Sequence, residues 1–347
     1  MSAPSSETPT TLTRHDDGLP ATMKAVTRRR YGGPDVATVE AVPRPDPGSG
    51  EVLLRVAAAG LDRATHHLLT GRPLLARLAF GVRRPRLPVL GQQVAGEVVA
   101  VGDGVSGYAV GDRAFGTASG SFADFAVAAV TTVAPTPASV SDVEAATVGV
   151  SGLTAFDAVV TRGRVRAGER VLVLGGSGAV GSFAVQLAAG HGAEVTAACS
   201  GAKRDFVTAL GAHHTVDYRT TGLPEMGGPF DLIIDIAGNR SLSSLRSALT
   251  PAGRLVIVGG EGGGPLLGGI ERNLWASVVN RFSRRDLGWL FSGVTSDRCA
   301  QFAAHLEARD VIPAIDRIMG LDQAGSALAA MERGELRGQA VICPGWE

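Results

Sequence analysis

Residues 170–181 read Arg-Val-Leu-Val-Leu-Gly-Gly-Ser-Gly-Ala-Val-Gly, and this stretch decides the fold. Arg170–Leu174 has the apolar run of a buried strand, and Ala179–Gly190 carries apolar residues at helical spacing. The turn between them is a G-x-G-x-x-G that directly follows the strand and directly opens the helix. Its residues are Gly176, Ser177, Gly178, Ala179, Val180 and Gly181.

This context is the setting of a dinucleotide-binding turn. The first glycine permits a tight bend, the second lets the backbone approach a pyrophosphate, and the third lets helix and strand pack closely. The N–H groups at the helix start, together with the positive end of the helix dipole, favour phosphate. We predict that the turn binds a dinucleotide; a glycine-rich turn without a ligand is the alternative.

Downstream, strands alternate with helices. This alternation predicts βαβ units and a doubly wound parallel sheet of the Rossmann type, which is an α/β fold. The predicted strands are Glu194–Cys199, His214–Asp217, Asp231–Ile236 and Arg254–Val258, and the helices are Ala202–Leu210 and Ser241–Leu249.

Upstream, from Met23 to Ala145, short apolar runs are separated by Gly and Pro, which favours a small β-barrel or sandwich. The runs are Glu51–Ala58, Val94–Val101, Asp112–Gly116, Ser121–Ala128 and Thr131–Ala134, with helical patches near Arg63–Thr70 and Ser141–Val150. The chain after Ser296 is a mixture of helix and strand that could return to this first domain.

Composition narrows the class of protein. The 347 residues carry 33 basic and 33 acidic side chains, so the net charge of zero argues against a nucleic-acid binder or a polybasic membrane anchor. Cys199, Cys299 and Cys343 are too far apart for a disulfide framework or a cysteine-rich zinc site. Met1–Thr22 is polar and lacks the pattern of a secretory signal, so we expect a disordered tail and a cytoplasmic protein.

The end of the second predicted strand indicates which cofactor is used. An acidic residue there would bind the ribose hydroxyls of NAD, but the chain has Ser200, Lys203 and Arg204 instead. A hydroxyl and two cations suit a 2′-phosphate, so we predict NADPH rather than NADH. A solvated helix face is the alternative for the two cations.

The order of motifs along Met23–Ile342 resembles that of the medium-chain dehydrogenase/reductase superfamily, in its zinc-independent quinone oxidoreductase branch. The motifs are Met23–Val26, Tyr31–Pro34, Glu51–Val56, Ala59–Asp62, Pro88–Gly91, Ala95-Gly96, Val110–Asp112, Gly152–Ala155 and the Gly176–Gly181 turn.

The resemblance implies a GroES-like β-barrel domain, split in sequence around a Rossmann domain, with the active site between them. The implied division is a tail over 1–22, a GroES-like domain over 23–147, a Rossmann domain over 148–292 and a return to the first domain over 293–347. It also implies a homodimer, to which the apolar stretch Leu287–Val294 could contribute as an edge strand.

The resemblance also implies roles for individual residues. Asp62 and Thr154 are expected near the nicotinamide and the substrate, although either could instead be a helix cap. Many quinone reductases have Asn where this chain has Asp62, and an ionised Asp could only accept hydrogen bonds unless burial raised its pKa. For the cofactor, the implied contacts are Tyr218 near the adenosine phosphate, Asn239 in a turn over the cofactor, and Gly259 and Gly260 beside the nicotinamide.

Zinc alcohol dehydrogenases of the same superfamily have Cys at the position aligned with Asp62 and a His-Glu pair after the position of Gly91. Here those positions hold Asp62 and Gln92-Gln93, so we expect no catalytic zinc. A site formed by His66, His67 and Asp62 is the alternative.

Without a Lewis acid, substrates that accept hydride readily are favoured, namely quinones and α,β-unsaturated carbonyl compounds. An alcohol–carbonyl dehydrogenase and a cofactor-binding protein with little turnover remain alternatives. The substrate itself depends on loops such as His66–Arg86 and Gly262–Trp275.

Overall fold

The chain forms two units built on different kinds of sheet. A computed structural model describes residues 18–259, 263–264, 266–281, 283–290 and 292–345. Over these ranges it contains a two-stranded, a six-stranded and a seven-stranded sheet.

The first unit is largely antiparallel. Its strands are β1 (Thr22–Thr27), β2 (Thr38–Pro43), β3 (Glu51–Gly60), β4 (Gln93–Val101), β5 (Arg113–Thr117), β6 (Phe125–Ala129) and β7 (Val133–Pro135). The long strand β3 pairs with both β4 and β6, and its Val52, Leu54 and Val56 enter one apolar core. Alternating burial of this kind is what a sheet curved around a core requires.

Four helical segments precede the second unit. Between β3 and β4 lie α1 (Arg63–Thr70) and α2 (Arg77–Phe80), and between β7 and the second unit lie α3 (Asp142–Ala145) and α4 (Leu153–Phe156). Two π-type turns, Val148–Gly152 and Asp157–Thr161, flank α4. Single turns of this kind occur often at functional sites, and the first of them carries Ser151 toward the cleft described below.

The second unit is a six-stranded sheet in which every pairing is parallel. Its strands are β8 (Arg170–Leu174), β9 (Glu194–Cys199), β10 (His214–Asp217), β11 (Phe230–Asp235), β12 (Leu249–Ile257) and β13 (Asp286–Trp289). Its helices are α5 (Ala179–Gly190), α6 (Arg204–Ala209), α7 (Leu242–Ser247) and α8 (Ile270–Asn280). The order β10-β9-β8-β11-β12-β13 reverses direction between β8 and β11, as in a Rossmann fold, which confirms the predicted fold class.

The end of the chain joins the first unit again. It contains α9 (Ser296–Glu307), β14 (Ile315–Met319), α10 (Ala324–Glu332) and β15 (Gln339–Ile342). β15 pairs antiparallel with β3, and β14 pairs parallel with β15. The first sheet therefore contains strands from both ends of the sequence.

Some sequence expectations need adjustment. Residues 1–17 of the predicted tail lie outside the described residues. The remainder is ordered before Met23, since β1 begins at Thr22. The carbonyl oxygens of Pro20 and Ala21 also accept hydrogen bonds from Arg44. The presumed loop Gly262–Trp275 includes the start of α8. Within the described ranges, no helix is both long and apolar enough to cross a membrane.

Candidate active site

A cleft of about 600 Å³ opens at the carboxyl ends of the parallel strands. Leu174, Ala198, Ile236 and Val258, from the ends of β8, β9, β11 and β12, contribute to its lining. Ligands bind at this edge of doubly wound sheets, where the strand order reverses. The opposite wall is supplied by α1, α4 and the segment that follows α10.

The glycine-rich turn borders the cleft through Ser177, Gly178, Ala179 and Val180, whereas Gly176 and Gly181 do not line it. A side chain at Gly181 would lie 2.1 Å from the carbonyl oxygen of Gly175, so this glycine lets α5 pack on the turn. The bend itself falls on Gly175, with φ of +91°, and not on Gly176 as we predicted.

Gly178 has a different reason to be glycine. It is the N-cap of α5 and its φ of −88° suits any residue. A Cβ there would have only the Gly175 carbonyl oxygen within 4 Å, at 3.7 Å. The position is therefore open on the cleft side, and the pyrophosphate of a dinucleotide fits the space beside these helix N–H groups.

At the adenosine end, Ser200, Lys203 and Tyr218 line the cleft, whereas Arg204 is exposed and outside the lining. The Lys203 Nζ donates hydrogen bonds to the carbonyl oxygens of Gly334 and Leu336, at 2.8 and 2.5 Å. Burial lowers the pKa of Lys203. The negative charge of Asp316 raises this pKa, whereas the positive charges of Arg337 and Arg219 lower it further. Lys203 thus connects the two units and retains one N–H donor for a ligand.

Asp217, at the end of β10, is an acid near this end that the sequence analysis did not consider. Its Oδ2 accepts a hydrogen bond from the Gly201 N–H at 2.8 Å, and its Oδ1 accepts one from the Arg219 N–H at 3.0 Å. These hydrogen bonds lower the pKa of Asp217. The carboxylate caps the turn that precedes α6 and is not part of the cleft lining.

At the other end of the cleft, the lining includes Asp62, Ser151 and Thr154. Asp62 is the N-cap of α1, where its Oδ1 accepts a hydrogen bond from the Thr65 N–H at 2.6 Å. Its Oδ2 and the Ser151 Oγ are both buried without a hydrogen-bond partner. Burial raises the pKa of Asp62 to about 6, although the hydrogen bond from the Thr65 N–H opposes the shift.

A buried ion pair between Arg272 and Asp235 holds the turns that follow β11 and β12. Arg272 on α8 contacts the Asp235 carboxylate at 2.7 Å and donates to the carbonyl oxygens of Arg240 and Gly259. The other Asp235 oxygen accepts from the Gly238 N–H. Asn239 and Gly259, which the sequence predicts to contact the cofactor, line the cleft. Gly260 lies outside the described residues.

Several lining residues escaped the sequence analysis. They include Ser151, Arg240 and the turn Gly334–Gly338, in which Gly338 donates a backbone hydrogen bond to the Ser177 carbonyl oxygen at 2.9 Å. The two glycines that bound this turn, just before the last strand, were the available signal for a tight bend. Nothing local indicated that the turn would lie against the glycine-rich loop, which is far away in sequence.

The residues that replace zinc ligands have other partners. The Gln93 Oε1 accepts hydrogen bonds from the Val150 and Ser151 N–H groups, at 2.9 and 3.0 Å. His66 Nε2 lies 2.6 Å from the Glu332 carboxylate. In the part of the chain that the structure describes, no three His, Cys, Asp or Glu side chains form a group suited to a metal ion, so the site of His66, His67 and Asp62 is not assembled.

Comparisons with known proteins agree with this architecture. A family described as alcohol dehydrogenase GroES-like domain matches residues 48–138, and one described as zinc-binding dehydrogenase matches residues 210–342. The quinone oxidoreductase of Mus musculus is 34% identical over 302 residues, which cover 82% of this chain and 86% of the relative.

Solved structures show the same fold. A quinone oxidoreductase from Coxiella burnetii has a TM-score of 0.81 at 25% identity and covers 93% of this chain and 100% of its own. A mycobacterial protein complexed with NADPH has a TM-score of 0.78 at 24% identity, over 93% of this chain and 100% of its own.

A Rossmann sheet with an open glycine turn, facing a GroES-like domain across a cleft, defines an NAD(P)H-dependent oxidoreductase. With the match to the mouse enzyme over most of both chains, the family follows. The chain belongs to the medium-chain dehydrogenase/reductase superfamily, in its quinone oxidoreductase branch.

Proposed function

We propose that this protein uses NADPH to reduce a quinone or an α,β-unsaturated carbonyl compound, without zinc. The observation that carries the proposal is the polar end of the cleft. There, the buried Asp62 carboxyl group has one oxygen without a hydrogen-bond partner, and the Ser151 hydroxyl in the same lining also has none. These groups suit a substrate oxygen that becomes more negative during the reaction.

A bound nicotinamide supplies the hydride for such a reduction. The protein contributes hydrogen-bond donors: the hydroxyl groups of Ser151 and Thr154, and the Asp62 carboxyl group when it is protonated. As the substrate oxygen gains negative charge, a proton from Asp62 would neutralise it. The Asp62 carboxylate then recovers a proton from water in the cleft, and its raised pKa makes this exchange possible near neutral pH.

NADPH is the proposed cofactor because a cation, Lys203, lines the adenosine end, although the carboxylates of Asp217 and Asp316 are also near. Lys203 and Ser200 line the cleft there, and the charges of Arg219 and Arg337 reach Lys203. A 2′-phosphate is nearly doubly charged and would be held by such groups, whereas a ribose hydroxyl would leave them unpaired. The NADPH complex of the mycobacterial neighbour is consistent with this assignment.

Zinc independence is proposed from the side chains at the end of the cleft that contains Asp62. Asp62 and the pair Gln92-Gln93 stand where zinc enzymes of the superfamily have Cys and His-Glu, and Asp62 and Gln93 already accept backbone hydrogen bonds. A homodimer and a cytoplasmic location also remain proposals. β13 would be available for the dimer, since it lies at the edge of the parallel sheet and pairs with β12 on its inner side.

The proposal is tested by turnover after removal of metals. The protein is dialysed against a strong chelator and assayed with NADPH against a panel of quinones, enones, ketones and aldehydes. We expect oxidation of NADPH with quinones or enones, and no gain on addition of zinc. Activity confined to ketones and aldehydes and restored by zinc would show an alcohol–carbonyl dehydrogenase. Tight NADPH binding without turnover on any compound would show a cofactor-binding protein.

A further inference from the structure

Exposed apolar side chains concentrate in two short segments of the described chain. The first segment, residues 74–87, contains α2 and exposes Leu74, Leu75, Leu78, Phe80, Val82 and Leu87. Leu78 and Leu87 are 64% and 63% exposed. Single exposed apolar residues are ordinary, but six within fourteen residues form a patch of the kind that marks an interaction surface.

The second segment, residues 266–278, contains Leu266 and most of α8. On α8, Leu274, Trp275 and Val278 are exposed, Trp275 to 61%. The two segments touch, because the Leu75 N–H donates a hydrogen bond to the Leu266 carbonyl oxygen at 3.1 Å. Together we call them the rim face.

The rim face adjoins the cleft on both sides. The first segment follows α1, which contributes Arg63 and His67 to the cleft lining. The second includes Arg272, which donates to the carbonyl oxygens of Arg240 and Gly259, and both of these residues line the cleft. A surface bound to the rim face would therefore lie at the cleft entrance.

The charge of the rim face differs from that of the whole chain. No Asp or Glu occurs between Asp62 and Glu97, whereas this stretch contains six arginines. They are Arg63, Arg72, Arg77, Arg83, Arg84 and Arg86. The second segment adds one acid, Glu271, and one cation, Arg272, which is paired with Asp235. The chain as a whole is neutral, but the first segment, with Arg77, Arg83, Arg84 and Arg86 and no acid, makes the rim face locally positive.

We propose that the rim face binds a membrane surface that contains anionic lipids. Leucine, phenylalanine and tryptophan side chains interleaved with arginine are the composition that inserts at the headgroup boundary while the cations contact lipid phosphates. A second copy of the chain fits less well, because a two-fold contact would place this positive face against itself. The overall balance of 33 basic and 33 acidic residues, from which no membrane partner is expected, conceals this local charge.

The test is co-sedimentation of the full chain with lipid vesicles. Vesicles of phosphatidylcholine with about one third phosphatidylserine are compared with pure phosphatidylcholine at low and high salt. We expect binding to the anionic vesicles, weakened by salt, with a blue shift of tryptophan fluorescence as Trp275 enters a less polar environment. Binding is measured without turnover, so its outcome is independent of the proposed reduction.

Two paired variants identify the surface. Each basic residue near an anionic membrane is worth about fivefold in partitioning, so Arg83→Gln with Arg84→Gln should weaken binding about 25-fold. The control, Arg166→Gln with Arg309→Gln, removes the same charge elsewhere and should weaken it far less. Leu78→Ala with Trp275→Ala should weaken binding at least tenfold, whereas Val110→Ala with Ile318→Ala, which are equally exposed, should not.

Thermal unfolding of each variant establishes that it is folded. We expect little loss of stability, because the substituted side chains are exposed. The proposal is overturned if anionic vesicles do not bind the protein, or if the rim and control variants bind equally. It is also overturned if the rim variants convert a dimer to a monomer in sedimentation velocity without reducing vesicle binding. In that case the face is an interface between copies of the chain.

Discussion

Replacing Asp62 with Asn should stabilise the protein at alkaline pH and leave its stability almost unchanged in acid. Asp62 is 2% exposed, and burial raises its pKa from 3.8 to about 6. Asn can keep the N-cap hydrogen bond from the Thr65 N–H, because Asn and Asp cap helices about equally well. The substitution therefore removes mainly the cost of burying a negative charge.

The expected gain in the free energy of unfolding follows from the shift in the pKa of Asp62. Two pKa units at 1.36 kcal/mol each correspond to about 3 kcal/mol. Below pH 3.8 Asp62 is neutral in both the folded and the unfolded chain, so the substitution has no electrostatic effect. Between pH 3.8 and about 6 the unfolded chain releases the proton first, and stability falls as pH rises. Above that window the full penalty applies to Asp62, and Asn avoids it.

The assay is denaturant unfolding of Asp62→Asn and of the parent at pH 4 and pH 8. We expect a difference near zero at pH 4 and about 3 kcal/mol in favour of Asn at pH 8, or on the order of 4 °C in Tm. Asp297→Asn, on an exposed turn of α9, is the control and should show no such gain. If Asp62→Asn gives the same stability difference at both pH values, the carboxyl group is not desolvated and the reasoning fails.

The same variant tests the proposed proton donor. Asn cannot release a proton, so kcat should fall by about a hundredfold or more while NADPH affinity stays within about twofold. An unchanged kcat would show that water supplies the proton.

Three further predictions concern the cofactor and its supporting turns. Gly178→Ala should fold normally but weaken NADPH binding at least tenfold by calorimetry, since its Cβ would occupy the open space beside the helix N–H groups. Gly181→Ala should instead be strongly destabilised, because its Cβ would lie 2.1 Å from the Gly175 carbonyl oxygen. Equal stability of the two variants would contradict this. Arg272→Met should cost about 3–5 kcal/mol of stability in urea unfolding, because it leaves the buried Asp235 carboxylate unpaired, and Arg281→Met on the surface should cost little. Lys203→Ala should weaken NADPH more than NADH in fluorescence titrations, and equal losses would mean that its bonds to Gly334 and Leu336 are purely structural.

Sequence was most informative where local pattern and tertiary structure coincide. Arg170–Leu174, Ala179–Gly190 and Glu194–Cys199 have the bounds that their apolar periodicity predicts. Each buries an apolar face against its neighbours in the sheet, so periodicity and packing impose the same limits. α1 likewise runs over Arg63–Thr70 because Asp62 caps its start and Gly71 ends it with a positive φ.

The site was less predictable because its contacts connect distant parts of the chain. Lys203 looked like a cation free to bind phosphate, but two of its donors hold carbonyl oxygens 131 and 133 residues away. The short strands β1 and β2 lack long apolar runs, and α8 has an exposed apolar face, so neither pattern stood out. The pair Gln92-Gln93 was identified as replacing the His-Glu pair of zinc enzymes, but the hydrogen bonds of Gln93 to the Val150 and Ser151 N–H groups required coordinates.

The most direct test of the account is kcat/KM for NADPH and for NADH, measured with one good quinone or enone substrate on metal-free protein. Two charge-assisted contacts to the 2′-phosphate, each near 1.5 kcal/mol at a partly wet edge, predict a preference for NADPH of roughly a hundredfold. High salt should reduce that preference by weakening NADPH selectively. Equal or better kcat/KM with NADH would contradict the proposed phosphate site, and no turnover with either cofactor would contradict the proposed reductase.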